Sequence, residues 1–279
     1  MKTLSLFALV FTAFAAGTAR AQSVFPDANL EKGVRVYVFE KREKPDPIVE
    51  ADVPNLSTIE IRAKGIKDLK GLEKCKALAM LNLTGNEITD LTPIKDLKGI
   101  QYLDLSKNKI KDLAPLAGLT GLQYLKLSEN EIEDLSPLAK LERLTTLDIS
   151  GNRVKDLGPT AGLKKLWSLY AEKNQLADLK PVAELKNLSS LDLRRNQIQD
   201  LAPVTGLKEL KYLLLDDNKI TDLGALLDMA RKDQEKEKRF SPYWHVHIEG
   251  NPIGDPKQVE ELKKMARQVV FSGKKRADL

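Results

Sequence analysis

Leu103 and Leu105 alternate with polar residues, the signature of a short strand with one buried face. After them, Leu113, Leu116, Leu119 and Leu122 recur every three residues. That spacing keeps one face inward only near three residues per turn, which predicts 3-10 turns rather than an α-helix. The same succession returns every 22 residues from Ile59 to Ile253. Asparagines share the period, at Asn86, Asn108, Asn130, Asn152, Asn174, Asn196 and Asn218, as do aspartates from Asp68 to Asp222 and prolines from Pro93 to Pro203. Three residue types in one register identify an internal repeat.

One coil cannot bury its apolar residues alone, whereas stacked coils share a continuous core and one parallel sheet. The predicted architecture is an α/β right-handed solenoid bent into an arc or horseshoe. About nine coils carry a parallel sheet on the concave face and short 3-10 turns on the convex side. Each recurrent asparagine lies where the chain bends from strand to turn, and its amide can both donate to and accept from the bent backbone. Asp112 is expected to cap the turn through its carboxylate, and Pro115 suits the turn's start. Three departures stand out: Lys64 replaces the asparagine in the first coil, Cys75 takes a core leucine position, and Thr160 and Ala171 replace core aliphatics at a local weak point.

The motif Leu125-Lys126-Leu127-Ser128-Glu129-Asn130-Glu131-Ile132-Glu133-Asp134-Leu135-Ser136-Pro137-Leu138 resembles that of the bacterial internalin-like leucine-rich-repeat family. The resemblance covers Ile59 to Ile253. It implies a leucine-rich-repeat fold and a binding role, without naming a ligand.

The flanking segments are atypical, as solenoid ends must be. Residues 1–21 read as a signal peptide: Lys2, an apolar run from Leu4 to Ala16, and Ala19-Arg20-Ala21 before a cleavage point at Gln22. Residues 22–58 form an N-terminal cap, in which Phe25-Pro26-Asp27 opens a helix carrying Leu30 and Val34. Residues 59–253 form the repeats, interrupted by a helical insertion near 226–239. Residues 254–279 form a C-terminal cap. There Asp255-Pro256 starts a helix with Val259, Leu262, Met265 and Val269 inward, ahead of the basic tail Lys274-Lys275-Arg276. No surface-anchoring motif and no membrane insertion are expected, so the protein is read as exported to the periplasm or the extracellular space.

Composition narrows the function. Removing residues 1–21 takes away Lys2 and Arg20 and no acid, lowering the formal charge from +5 to +3, too slight to argue for nucleic acid. One cysteine excludes an internal disulfide. No phosphate-cradling glycine loop or nucleophile elbow is present. The expected protein is therefore not an enzyme and uses no cofactor. It is read as a monomer binding a protein, with a glycan or cell-envelope polymer as the alternative.

On the concave face, residues flanking the strand leucines point outward. The candidate binding residues are Tyr102 with Tyr124 in one hot spot, and Trp167, Tyr170, Tyr212 and Leu214 in another. Alternating charges accompany them at Asp104, Lys126, Asp148, Asp192 and Arg194. His245, His247 and Glu249 face the same way on the last repeat strand, next to Asp216. His247, Glu249 and Asp216 are the residues that would hold a divalent cation, although no metal is expected.

Overall fold

The computed structural model describes residues 22–237 and 243–272. The signal peptide, the end of the helical insertion at 238–239 and the basic tail fall outside the described residues.

Ten three-residue strands form one parallel sheet in strict chain order. They are β1 (Thr58–Glu60), β2 (Met80–Asn82), β3 (Tyr102–Asp104), β4 (Tyr124–Lys126), β5 (Thr146–Asp148), β6 (Ser168–Tyr170), β7 (Ser190–Asp192), β8 (Tyr212–Leu214), β9 (His245–His247) and β10 (Gln268–Val270). The register advances by whole repeats, so Leu103 lies beside Leu81 and Leu125. Every side chain therefore sits beside its equivalent in the next coil, which is why the columns read from the sequence are also columns in space.

Each regular coil returns through a 3-10 turn of the predicted kind, such as Ala114–Leu116 with proline in its first positions. The turn needs i→i+3 bonds, and Ala117 N–H donates to the Ala114 carbonyl at 3.2 Å. Asp112 serves the turn slightly differently from expectation. Its carboxylate accepts from the Ala114 N–H, two residues on, at 2.8 Å, and Leu113 occupies the cap position itself. Asp90, Asp134, Asp156, Asp178 and Asp200 repeat this bond. The reason is local: a short aspartate side chain reaches the N–H two residues ahead as an Asx turn.

The leucine positions form one continuous core from Phe25 to Met265. Asparagines stitch adjacent coils beside it. Asn152 donates to the Leu127 carbonyl of the preceding coil and to the Ile149 carbonyl of its own, both at 2.9 Å, and accepts from Ile132 N–H at 3.0 Å. At the first coil, Lys64 leaves the Ile61 carbonyl with the Asn86 amide, at 2.8 Å, as its ladder donor. Cys75 is fully buried, and burial pushes its thiol up to about 12, as an inert core position requires. Thr160 and Ala171 are buried too, and Thr160 Oγ1 donates to the Leu157 carbonyl at 2.7 Å, so the hydroxyl is satisfied.

The caps depart from expectation at one point. Helix α1 (Ala28–Arg35) starts at Asp27 and buries Leu30 and Val34. Helix α2 (Gly224–Lys232) continues as a wider helical turn at Asp233–Glu237, within the predicted insertion. Helix α3 (Pro256–Met265) buries Val259, Leu262 and Met265, but it ends there. Val269 lies on β10, paired with Val246 of β9. The sheet therefore gains a tenth strand from the C-terminal cap, which satisfies backbone groups that β9 would otherwise leave at an open edge.

Candidate functional site

Residues from four consecutive coils enclose an open cavity of about 480 Å³ on the concave face, lined by Ser128, Glu129, Asp148, Ser150, Gly151, Tyr170, Glu172, Lys173, Asp192, Arg194 and Arg195. Of the residues singled out in the sequence, it unites Asp148, Tyr170, Asp192 and Arg194. Asp148, Tyr170 and Asp192 lie side by side through strand register. Tyr170 is half-buried, and its hydroxyl makes no hydrogen bond among the described residues.

The charges are ordered. Arg194 grips Asp192 with two nitrogens, at 2.9 and 2.5 Å, and reaches Glu172 at 2.9 Å. Arg195 lies 3.6 Å from Glu172 and 3.8 Å from Asp217. The Asp192 carboxylate, with Glu172 adding to it, holds the Arg194 guanidinium above its ordinary range against the opposing effect of burial. Bidentate pairing fixes the guanidinium in one plane, so this wall is rigid before any ligand arrives. Asp148 differs: one oxygen accepts from Ser150 N–H at 3.0 Å, and it forms no ion pair among the described residues.

This geometry adds a structural role to the aspartate column. Asp104, Asp148 and Asp192 each accept from the N–H two residues ahead, at 3.0, 3.0 and 3.2 Å, closing the strand end. Asp104 is 8% and Asp192 4% exposed, so both act mostly on their own coil.

The aromatic candidates fall in separate places. Tyr102 and Tyr124 neighbour each other with ring centroids 6.1 Å apart, and Lys126 lies 5.8 Å over the Tyr102 ring. The second group is divided by β7, because Asp192 stands between Tyr170 and Leu214 in register, and Ser190 between Ser168 and Tyr212. Tyr212 instead stacks on His245 at 5.0 Å. Trp167, one residue before β6, is 52% exposed.

Sequence reasoning passed over Glu129, Gly151 and Lys173 at the cavity's lip. They precede ladder asparagines and adopt positive φ, at 54°, 68° and 53°. This conformation ends the strand alternation and turns the side chain onto the concave rim. The recurrence of glycine at the same position, in Gly85, Gly151 and Gly250, is the signal that marks it.

The metal candidates do not converge. The Glu249 carboxylate is taken by the Ser272 hydroxyl and, at 2.7 Å, by the Ser272 N–H. Asp216 accepts from Glu249 N–H at 2.8 Å and lies 3.8 Å from His247. Burial pushes its carboxyl above the ordinary value. Among the described residues no group of three or more His, Cys, Asp or Glu side chains is placed to hold a metal ion.

Comparisons with known proteins agree with the geometry. A family model for leucine-rich repeats in two copies matches residues 98–140 and 186–228, and another for a single leucine-rich repeat matches 143–158. Internalin C2 of Listeria monocytogenes is 34% identical, with a TM-score of 0.71, over 74% of this chain and 91% of that one. A leucine-rich-repeat protein of Leptospira interrogans is 25% identical with a TM-score of 0.67, covering 78% of this chain and 54% of that one. A comparison with curated proteins finds no significant match. Leucine-rich-repeat folds serve in general as protein-binding modules, and internalin-like chains are typically non-catalytic. The repeat register, the open parallel sheet and the likeness to internalin C2 lead to one assignment: this chain belongs to the bacterial internalin-like leucine-rich-repeat family.

Proposed function

We propose that this protein is an exported, non-catalytic recognition module that captures a protein partner on its concave face, centred on Tyr170. The observation that carries this reading is the Tyr170 cavity. An aromatic ring with a free hydroxyl lies beside Asp148, which has no ion-pair partner, against the preformed Arg194–Asp192–Glu172 wall. Tyrosine supplies large contact area at low entropic cost, and a rigid charged wall selects orientation. Exposed Tyr124, Trp167 and Tyr212 extend the surface to either side. Of the lining carboxylates, Asp192 and Glu172 are engaged by Arg194 rather than by any lining hydroxyl, which favours binding over chemistry.

Export rests on residues 1–21, and N-terminal sequencing of the protein recovered from the source cell's periplasm or medium is expected to begin at Gln22. No helix among the described residues is long and apolar enough to cross a membrane.

The test sets protein capture on immobilised protein against a glycan array, each with the wild type and with Trp167 and Tyr170 both changed to alanine. Specific capture of one protein, lost in the double variant, supports the reading. Glycan binding with no protein partner moves the site to the carbohydrate class. Protein capture unaffected by the double variant removes this surface from the account.

A further inference from the structure

The flank of the solenoid, where the chain returns from the convex turns to the strands, carries a feature that concave-face recognition does not use. In the coil preceding β4, this stretch reads Ala117-Gly118-Leu119-Thr120-Gly121. Both neighbouring coils place charged residues at equivalent positions: Lys98 on one side, and Lys140, Glu142 and Arg143 on the other. The result is a cavity of about 430 Å³ lined by these four residues with Thr120 and Gly121. Coils lie about 4.8 Å apart, so the cations face each other across a notch about 10 Å wide. The gap is built into the backbone: a Cβ at Gly121 would lie 2.7 Å from the Lys98 carbonyl oxygen, so a side chain there cannot fill it without moving a coil.

The charge continues beyond the notch. Lys165 follows Arg143, and Lys186 follows the Lys164 position, in the same columns one coil on. Lys98, Lys140, Arg143, Lys165 and Lys186 are exposed and form no ion pair among the described residues, whereas Lys164 is neutralised by Glu184 at 2.9 Å. The carboxylates left unpaired on this stretch are Asp96 and Glu142. Lysines elsewhere often find partners in adjacent coils, as Lys109 does with Glu87 at 2.9 Å. These five cations outnumber the two unpaired carboxylates, leaving a net positive surface across several coils that is suited to an extended polyanion.

We propose that the notch seats one phosphate group, and that the row beyond it tracks the following groups of a linear phosphate polymer. Thr120 lines the notch between Lys98 on one wall and Lys140 and Arg143 on the other, and these three positive charges outweigh the single Glu142 carboxylate there. The site is distinct from the concave face, so both can be occupied together.

The test is titration calorimetry of the purified protein with long-chain inorganic polyphosphate and, separately, with orthophosphate, over a range of salt concentrations. The polymer is expected to bind the wild type more tightly than orthophosphate does. The variant K98Q/K140Q/R143Q is expected to lose about tenfold in affinity. Its log–log salt slope should fall by about 2, the value for three lost cation contacts at the single-strand rate. The charge-matched control K44Q/K70Q/K155Q, altered outside both the flank and the concave cavity, should retain binding. Equal losses in both variants would mean diffuse attraction to a basic protein and would overturn the site. Orthophosphate binding as tight as the polymer would overturn the track.

Discussion

Replacing Asn152 tests how adjacent coils are held together. Asn152 is buried, and its side chain joins one N–H, the Leu127 and Ile149 carbonyls and, more weakly at 3.3 Å, the Ser150 carbonyl, which also accepts from Glu129 N–H at 2.7 Å. The partners are not equally dependent on it. The Leu127 carbonyl also accepts from Asn130 at 3.0 Å, and the Ile149 carbonyl from Asn174 at 3.0 Å, so each keeps one donor after truncation. Ile132 N–H has the Asn152 oxygen as its acceptor and loses it. An orphaned buried N–H costs about 1–3 kcal/mol, and each lost bond to a still-partnered carbonyl about 0.5–1.5. Asn152→Ala should therefore destabilise the protein by about 2–6 kcal/mol, read from urea unfolding by circular dichroism. Asn152→Asp separates the contributions. It keeps an acceptor for Ile132 but points a carboxylate oxygen at two carbonyls, which raises that carboxyl's pKa in the folded state. The penalty relative to wild type is then full above the raised value. It shrinks as pH falls toward the ordinary aspartate value of about 4, where the protonated acid can donate again. A cost below about 1 kcal/mol for Asn152→Ala, or a pH-independent penalty for Asn152→Asp, would refute the ladder as a source of stability.

Other residues give further tests. Burial pushes the Asp27 carboxyl up, but backbone N–H groups of Lys67, Leu30, Asp68 and Asn29, at 2.9 to 3.2 Å, outweigh it and hold the pKa below the usual value. The stability this carboxylate supplies is present above the unfolded-state value and lost as pH falls through the depressed one. Asp27→Ala should flatten that part of the acid-denaturation curve and speed hydrogen exchange in α1. Arg194→Met strands Asp192, whose side chain is 6% exposed. A cost of about 2–4 kcal/mol is expected, below the fully buried limit because Arg194 is partly solvated; a double change with Asp192→Leu should recover most of it. Cys75, with its thiol pushed up to about 12 by burial, should resist iodoacetamide at pH 8 in the folded protein and react once urea unfolds it.

Much of the fold was legible because one coil's solution is repeated. Leu103 and Leu105 mean the same thing as Leu125 and Leu127, so errors do not accumulate and the register follows from the period. Val269 was misread for a physical reason. Val259, Leu262, Met265 and Val269 fall at helical spacing, and only the unpaired edge of β9, a tertiary fact, pulls the last of them into a strand. The candidate site was legible as far as strand alternation reaches: Asp148, Tyr170 and Asp192 on β5 to β7, with Arg194 two residues on. Glu129, Gly151 and Lys173 lie past the strand ends, where positive φ breaks the alternation. The split between Tyr170 and Leu214 was already implied by the 22-residue register, because Asp192 must lie between them. The notch at Gly118 and Gly121 depends on what adjacent coils lack, and a scan for conspicuous residues does not register small ones.

Whether the concave face holds the partner can be read from a photo-crosslinking amino acid placed at Tyr170, with the same probe at exposed Lys155 outside that face as control, expressed in the source cell. A single protein adduct is expected from position 170, none from position 155, and the adduct should be lost when Trp167 is also changed to alanine. An adduct formed at 155 and absent at 170 would contradict capture on the concave face.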